Sequence, residues 1–281
     1  MLTISIDWLA GTFKELTHEA QRFMDAYARF PSVLPDAPRH GYNSAHKDGC
    51  GTVVQWHTEY QGMGYHVQFS GSALRNIIEQ KEVQPDALLR SFLNSGGRVS
   101  RLDLAKDATG EKIDLSAIYQ QIERGSNRGS ARTHSQIKSS GGGVTVYVGS
   151  RQSERFIRIY DKAAERELSG VLWSRFEIET KGLVARAVAS TLSHTDNWAG
   201  AFDTIAKAML DLPGSTDYQA FFDEGIVPIG LPKITKQTDR EKWIETQITP
   251  AVAKHWIEHP DSEAVQGLIE VLLHIAQHRN G

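Results

Sequence analysis

Three segments near the middle of the chain alternate polar and apolar residues with a period of two, which restricts the fold more than any other feature. They read RVSRLDLAKDA (98–108), RFIRIYDK (155–162) and SRFEIETK (174–181). This period is that of a half-buried β-strand, whose side chains point alternately to the two faces of a sheet. If the three strands share a sheet, their apolar faces meet one core and their polar faces coincide on a single exposed surface.

The rest of the chain places these strands in a mixed fold. The sequence predicts seven strands, with helices inserted between hairpins, and a helical pattern after about residue 183. We therefore predict an α+β fold with a largely antiparallel central sheet and helices on one face. The predicted organisation is a catalytic domain over residues 1–185. A helical C-terminal region, residues 186–281, packs on it or is appended to it.

The charge of the chain differs between segments although its sum is small. The formal net charge is -3 over 281 residues. Residues 100–190 carry 15 Lys and Arg against 11 Asp and Glu, whereas residues 191–281 carry 7 against 13. The middle third is the only basic region, and a local basic face matters more for phosphate binding than the sum over the chain.

Composition excludes several classes of protein. The single cysteine, Cys50, rules out an internal disulfide framework and a cysteine-rich zinc site. The mean hydropathy is -0.38, and the sequence has neither an apolar run of about 18 residues nor a charged-then-apolar leader. We therefore expect no membrane span and a cytoplasmic location.

The coincident polar faces would gather carboxylates around a tyrosine. Asp103 and Asp107 lie on the first strand, Tyr160 on the second, and Glu177 and Glu179 on the third. One interpretation is a set of cross-strand ion pairs, each contributing about 0.2–1 kcal/mol. The other is a Mg²⁺ or Mn²⁺ site, because neighbouring carboxylates repel unless a cation intervenes and oxygen ligands suit these metals.

Tyr160 lies between two cations on its strand, Arg158 and Lys162. A free tyrosine titrates near pH 10 and is a poor nucleophile at neutral pH. The two cations would favour the phenolate and hold phosphate oxygens, so we predict all three residues to be catalytic. The alternative is a pair of surface cations whose stems cover apolar surface. A tyrosine beside a carboxylate-held metal is an arrangement suited to phosphoryl transfer.

Three further polar residues are weaker candidates for the metal. His66 shares a predicted strand face with Gln68 and could be a ligand or a general base, although a lone strand histidine is more often a half-exposed polar residue. Asp7 could be a ligand or a strand-end cap. Asp107 lies on the same face as Asp103.

The Gly- and Ser-rich segment 124–138 predicts a mobile basic loop. We expect it to close over DNA beside Tyr160, because a flexible basic segment can follow a phosphate backbone; a plain disordered linker is the alternative. The predicted DNA-binding residues are Arg124, Arg128, Arg132, Lys138, Arg151 and Arg175. Tyr65, Tyr147 and Trp173 could stack on bases or belong to the core.

Several motifs resemble a known family. RLDLAKD (101–107), TVYVGSRQSERFIRIYDKAAE (145–165) and WSRFEIETKG (173–182) are similar to the core of the replication initiation factor family. This family comprises the Rep proteins of small rolling-circle plasmids, with related relaxases of conjugative elements and replication proteins of filamentous phages. IDWLAGTF (6–13) and VQFSGSALR (67–75) are also similar, so the resemblance covers roughly residues 3–185.

The resemblance implies sequence-specific nicking of one strand at an origin. An active-site tyrosine, here Tyr160, joins to the 5′-phosphate and leaves a free 3′-hydroxyl, while Asp103, Glu177 and Glu179 hold Mg²⁺ or Mn²⁺. The sequence has no His–hydrophobic–His pair, so the metal site of other rolling-circle nickases is missing. The implied partners are single-stranded and duplex origin DNA, a host helicase and, as an option, a second copy of the chain.

Three rival functions remain open at the level of sequence. A non-catalytic DNA-binding protein could use the same fold, although carboxylates would then face phosphate without a purpose. A tyrosine recombinase or topoisomerase would form a 3′-phosphotyrosyl bond and rely on arginine and histidine without metal. A metal-dependent nuclease using water would remain active without Tyr160.

Overall fold

The computed structural model describes most of the chain in four stretches. These are residues 4–28, 34–139, 143–223 and 225–232, with isolated positions between 252 and 270. Two compact units are formed, Met1–Ile234 and Thr235–Gly281, and all elements named below lie in the first. Most of the predicted C-terminal helical region beyond residue 232 falls outside the described residues, and the functional division at residue 185 stays a prediction.

Ten strands of the described residues form one sheet. They are β1 (Ile4–Phe13), β2 (Leu34–Pro35), β3 (Ser44–Lys47), β4 (Thr52–Trp56), β5 (Tyr65–Ser70), β6 (Gly97–Thr109), β7 (His134–Lys138), β8 (Val144–Val148), β9 (Arg155–Asp161) and β10 (Trp173–Lys181). The order is β2-β3-β4-β5-β1-β6-β10-β9-β8-β7, and every pairing is antiparallel. The α+β class and the largely antiparallel sheet are confirmed. The sequence missed β2, β3 and β7, which are short and lie at or next to the sheet edges.

Eight α-helices are interspersed among the strands in the described part of the chain. They are α1 (His18–Phe23), α2 (Gly71–Lys81), α3 (Pro85–Asn94), α4 (Leu115–Glu123), α5 (Lys162–Glu165), α6 (Gly182–Ser193), α7 (Trp198–Met209) and α8 (Thr216–Gln219). A π-helical turn, Met24–Ala28, continues α1, and a 3-10 turn covers Gln61–Met63. None of these helices has the length and apolar character needed to cross a membrane.

At the central strands the hydrophobic core lies on the apolar face of β6, β9 and β10, under α3, α4, α6 and α7, and it continues over β1, β5 and β8. Phe176 of β10 is at its centre and packs edge-on against the ring of Phe202 in α7 at 5.6 Å. It also contacts Tyr218 of α8 and the two phenylalanines that follow, Phe221 and Phe222. Burying each such ring contributes about 1.5–3 kcal/mol. The core therefore fixes one face of the three central strands and leaves the other face for polar side chains.

The segment predicted as a mobile loop is held in place along most of its length, so that prediction was wrong. Ser130 N donates to the carbonyl of Ala208 at 2.9 Å. A Cβ atom at Gly129 would lie 2.3 Å from the Met209 carbonyl, so the glycine permits close backbone approach. Farther on, β7 pairs with β8. Gly and Ser indicate coil when they are read locally, but backbone pairing with distant segments overrides that tendency.

Candidate active site

The three central strands lie side by side, and their registers bring the predicted residues together. Glu179 of β10 pairs with Asp103 of β6. On the other side of β10, Glu177 pairs with Arg158 of β9 and Arg175 pairs with Tyr160. Residues in direct register share a face of the sheet. The polar faces therefore coincide, as the alternation predicts.

This face is buried, however, and not the exposed surface that the sequence predicts. Asp103 and Glu177 are each 1% exposed and Tyr160 is 7% exposed. Lys162, which begins α5, is also buried. Opposite charges on the face satisfy one another, so the side chains can lose water without leaving an unpaired charge in a low-dielectric setting.

Tyr160 lies between a carboxylate and an ammonium group. Its hydroxyl donates to Glu177 Oε2 at 3.2 Å and accepts from Lys162 Nζ at 3.2 Å. The turn that brings Lys162 there is made by Asp161, which ends β9 and caps α5 by accepting from Ala164 N at 2.8 Å. The phenol therefore has both a proton acceptor and a cation within hydrogen-bond reach.

The electrostatics of Tyr160 differ from the sequence prediction. Burial, followed by the charges of Glu177 and Glu165, raises the pKa of Tyr160 well above its ordinary value, and Arg175 offsets this only in part. Arg158 and Lys162, which the sequence predicts to favour the phenolate, are also bonded to Glu177 and Glu165, so their effect on Tyr160 does not outweigh that of burial. The tyrosine is held neutral at rest and needs a proton acceptor at the moment of attack.

Glu177 has the geometry of that acceptor. Its Oε1 accepts from Arg158, and its Oε2 accepts the phenol proton. Burial is the main cause that raises the pKa of Glu177 above its ordinary value. A carboxylate with a raised pKa is a stronger base, which suits proton transfer from a tyrosine.

The carboxylates predicted to hold a metal are bonded to arginine as arranged here. Arg101 donates to both oxygens of Asp103, at 3.0 and 2.6 Å, and to Glu179 Oε2 at 2.7 Å. Burial and the nearby charges of Glu177 and Glu179 raise the pKa of Asp103 to about 7 despite these bonds. No three His, Cys, Asp or Glu side chains among the described residues converge on a common point. As the side chains are arranged here, Arg101 takes the place of a cation between Asp103 and Glu179, and the predicted metal stays a prediction.

Arg175 joins the two weaker ligand candidates. It donates to both oxygens of Asp107 at 2.7 Å and to Asp7 Oδ1 at 2.6 Å. A Cβ atom at Gly71 would lie 3.0 Å from that same Asp7 oxygen, so the glycine lets α2 begin against β1. Arg175, predicted to bind DNA, is engaged with carboxylates on the face and is 6% exposed.

In the described part of the chain, two grooves open on this face. The larger, about 580 Å³, is here called the charged groove, and it runs between the start of α2 and the start of α5. The cations that line it are Arg75, Arg101, Arg158, Lys162 and Arg166. The smaller, about 360 Å³, is here called the tyrosine groove. It is lined by Ile137, Ser139, Gly143, Val144, Thr145, Tyr147, Arg158, Tyr160, Asp161, Ala164 and Glu165.

The other predicted DNA-binding residues are spread over the structure. Arg128 lines another groove, formed by Gln121, residues 125–128 and residues 212–214, which shares no residue with the first two. Arg124 and Arg132 are also exposed within the segment before β7. Lys138 ends β7, beside the tyrosine groove, and Arg151 lies over the ring of Tyr147.

Sequence reasoning gave no role to Arg75, Arg101 and Arg166, which the structure places in the charged groove. Arg101 had a usable signal, since it shares the polar face with Asp103 in the alternation. Arg75 lies in the VQFSGSALR motif, whose similarity to the family was recognised. Arg166 has no signal in the sequence, because its place depends on the turn of α5.

His66 lies on the same face but away from the carboxylates. His66 pairs with Thr12 of β1. The β1 residue that pairs with Asp103 is Trp8, four positions away from Thr12. The Nδ1 of His66 is 3.1 Å from Thr12 Oγ1, and its ring stacks on Tyr42. Burial, with a smaller contribution from His40, lowers the pKa of His66 to about 4. His66 is therefore held neutral by its packing.

The lowered pKa of His66 predicts that the free energy of unfolding depends on pH. Between about pH 6.5 and pH 4 the unfolded chain binds a proton at His66 that the folded chain does not. The free energy of unfolding should therefore fall as the pH falls, by up to about 3 kcal/mol from this residue. The variant His66→Gln should lose less stability over the same range in urea unfolding, whereas the exposed control His18→Gln should follow the wild type. Equal pH profiles for His66→Gln and wild type would contradict the assignment.

Fold and site together define a class: an α+β protein whose antiparallel sheet carries a buried tyrosine among carboxylates and arginines. The model of the replication initiation factor family matches residues 97–220 of this chain. That span holds Asp103, Tyr160 and Glu177. The match confirms the resemblance carried by the three motifs between residues 101 and 182, and the motifs at 6–13 and 67–75 lie outside it. The rolling-circle replication initiator protein from Geobacillus stearothermophilus has the same fold, with a TM-score of 0.65 and 18% identity, over 86% of this chain and 91% of that one. No curated protein matches the sequence significantly.

Proposed function

We propose that this protein initiates rolling-circle replication by nicking one strand of origin DNA through a 5′-phosphotyrosyl intermediate on Tyr160. One observation carries the proposal: the Tyr160 hydroxyl is bonded to both Glu177 and Lys162, and the tyrosine lines an open groove. A tyrosine on a sheet face with no chemical role would not need a base and a cation at its oxygen. The family match over residues 97–220 supports the same conclusion.

The chemistry follows from these contacts. As the Tyr160 oxygen attacks phosphorus, its proton passes to Glu177 Oε2. The bond between phosphorus and the 3′ oxygen breaks, and that oxygen leaves as a hydroxyl after taking a proton from the ammonium of Lys162 or from water. Lys162 and Arg158, which lie at the ring of Tyr160, offset the negative charge that develops on the phosphate. The product is a DNA strand joined to Tyr160 by its 5′-phosphate.

The charged groove supplies a path for the strand. Arg75 and Arg166 are exposed on its rim, and Arg158 lines both this groove and the tyrosine groove. A row of cations leading to a nucleophile binds backbone phosphates without regard to sequence. We place in the charged groove the backbone phosphates that lie on one side of the scissile bond. A helicase and a second copy of the chain remain partners implied by the family alone.

The divalent metal is a separate part of the proposal. A divalent cation that binds to Asp103 and Glu179 has to share these carboxylates with Arg101, which is bonded to both. We expect nicking to stop when EDTA is added and to resume with excess Mg²⁺ or Mn²⁺, while single-strand binding in EDTA is retained. Nicking that continues undiminished in EDTA would remove the metal from the proposal and leave the arginines as the charge-stabilising groups.

The proposal is tested with supercoiled plasmid that carries this gene and its flanking sequence. The expected products are an open circle and a protein that stays attached to the 5′ end at the nick. A 3′ attachment would assign the protein to the recombinase or topoisomerase class. A plasmid that stays supercoiled, although the protein binds it, would favour the non-catalytic DNA-binding function.

Replacing the proton acceptor should slow the reaction without preventing binding. The variant Glu177→Gln keeps the size of the side chain but removes the charge that accepts the phenol proton. We expect the nicking rate to fall about a hundredfold, the lower part of the range for loss of a general base. Single-turnover nicking measures this, with the exposed Glu123→Gln on α4 as the control. A rate equal to that of Glu123→Gln would exclude Glu177 as the acceptor.

A further inference from the structure

The tyrosine groove has apolar walls, which the chemistry at Tyr160 does not require. Ile137 of the edge strand β7 is 56% exposed, although it is a large aliphatic side chain. It pairs with Thr145 of β8, and Thr145 pairs with Tyr160 of β9, so the three form one row across the sheet. An exposed apolar wall in register with a nucleophile indicates a binding surface.

An aromatic pair lies next to this row. Tyr147 of β8, which lines the groove, stacks on Phe156 of β9, with ring centroids 5.7 Å apart and planes at 16°. The guanidinium carbon of Arg151 lies 5.3 Å from the Tyr147 centroid and 5.4 Å from that of Phe156. Phe156 is buried, whereas Tyr147 is half-buried. Phe156 stacks on the ring of Tyr147 and Arg151 lies over it, so both hold this ring in place at the groove.

We propose that the tyrosine groove binds one unpaired nucleobase of the DNA strand next to the scissile phosphate, stacked on Tyr147. This rests on the proposed function and adds to it a site for the base. A volume of about 360 Å³ is at the lower end for small-molecule sites, which suits a single base. Polar groups of Ser139, Thr145 and Asp161 line the same groove, where they can meet the edges of a base.

Charge and burial favour single-stranded DNA as the occupant. Tyr160 is almost fully buried and lines this groove, so a phosphate can reach it only if the strand leaves the duplex. Arg158 lines the groove and lies over the ring of Tyr160, and Arg151 lies over the ring of Tyr147, which lines the groove. Each guanidinium can meet a phosphate beside an aromatic ring. Cations beside a fixed aromatic surface are the combination by which proteins bind single strands with little sequence preference.

The test separates the base from the phosphate. Binding is measured in the Tyr160→Phe background, so that cleavage does not interfere, with two fluorescent probes: an oligothymidylate and a sugar–phosphate chain of the same length without bases. We expect the background protein to prefer the oligothymidylate. Adding Tyr147→Leu should reduce this preference about tenfold, as loss of one base–aromatic stack does. Adding Tyr147→Phe should preserve it, and so should the exposed control Tyr60→Leu.

The outcomes distinguish this site from the proposed function. A preference unchanged by Tyr147→Leu, in a protein whose wild type nicks DNA, would overturn the base site alone. Equal loss of binding to both probes would also overturn it, because stacking does not affect a chain without bases. If the protein neither nicks plasmid nor binds either probe, the proposed function fails and the base site fails with it. A tenfold loss confined to the base-bearing probe supports both.

Discussion

Replacing Tyr160 with phenylalanine should abolish both the nick and the covalent protein–DNA adduct. The change removes one oxygen, the atom that Glu177 and Lys162 both contact. The ring is retained, so its packing beneath Arg158 is kept. Loss of a nucleophile typically slows catalysis about a thousandfold or more. A denaturing gel of labelled plasmid measures both products, since the adduct carries label into the protein band.

The matched control is Tyr60→Phe, which removes the same atom from a tyrosine that is 64% exposed between β4 and β5. We expect this variant to nick and to form the adduct at the wild-type rate. Single-strand binding should survive in both variants, because the cations of the charged groove are unchanged. A nick that persists in Tyr160→Phe without an adduct would assign the chemistry to water, and a nick with an adduct would assign it to another tyrosine.

The alternation of the central strands was sufficient to predict which residues share a face of the sheet. A period of two fixes the face of each side chain, and adjacent antiparallel strands then place Asp103, Tyr160 and Glu177 on one face. The order of the strands was not predictable in this way. It depends on which hydrogen-bonding partners the whole sheet offers, and β6 is joined to β10 across about seventy residues of chain.

The ion pairs and pKa values of the residues on this face could not be predicted from the sequence. Alternation places Arg158 and Glu177 on the same face, but it does not say that they are opposite each other and bonded. That pairing decides whether the arginine activates Tyr160 or neutralises Glu177. Burial is equally invisible in a local pattern, and here it is the largest cause of the raised pKa values of both Tyr160 and Glu177. Local sequence therefore predicts the position of a charge better than its effect.

Lys106 illustrates the same limit on the other side of the sheet. The alternation of β6 places it with Leu102 and Leu104 on the apolar face, where a charge has no evident partner. The structure buries it completely, and its Nζ donates to Asp203 Oδ1 of α7 at 2.9 Å. The rings of Phe202 and Phe222 lie 5.2 and 5.5 Å from the ammonium group. The partner is 97 residues away in sequence, so no local pattern indicates it.

The variant Lys106→Met should lose about 3–5 kcal/mol of unfolding free energy, because it leaves the carboxylate of Asp203 buried without its cation. Urea unfolding measures this, and Lys81→Met at the exposed end of α2 should change stability by less than about 0.5 kcal/mol. The double variant Lys106→Met, Asp203→Leu removes both charges and should recover most of the loss, since apolar side chains can replace a buried ion pair. A double variant as unstable as Lys106→Met would assign the loss to packing or to Asp223, a second carboxylate 4.0 Å from Lys106 Nζ. β6 carries Asp103 on one face and Lys106 on the other. If the double variant recovers its stability and nicks DNA at the wild-type rate, the Lys106–Asp203 pair anchors α7 to the sheet and takes no part in the chemistry on the Asp103 face.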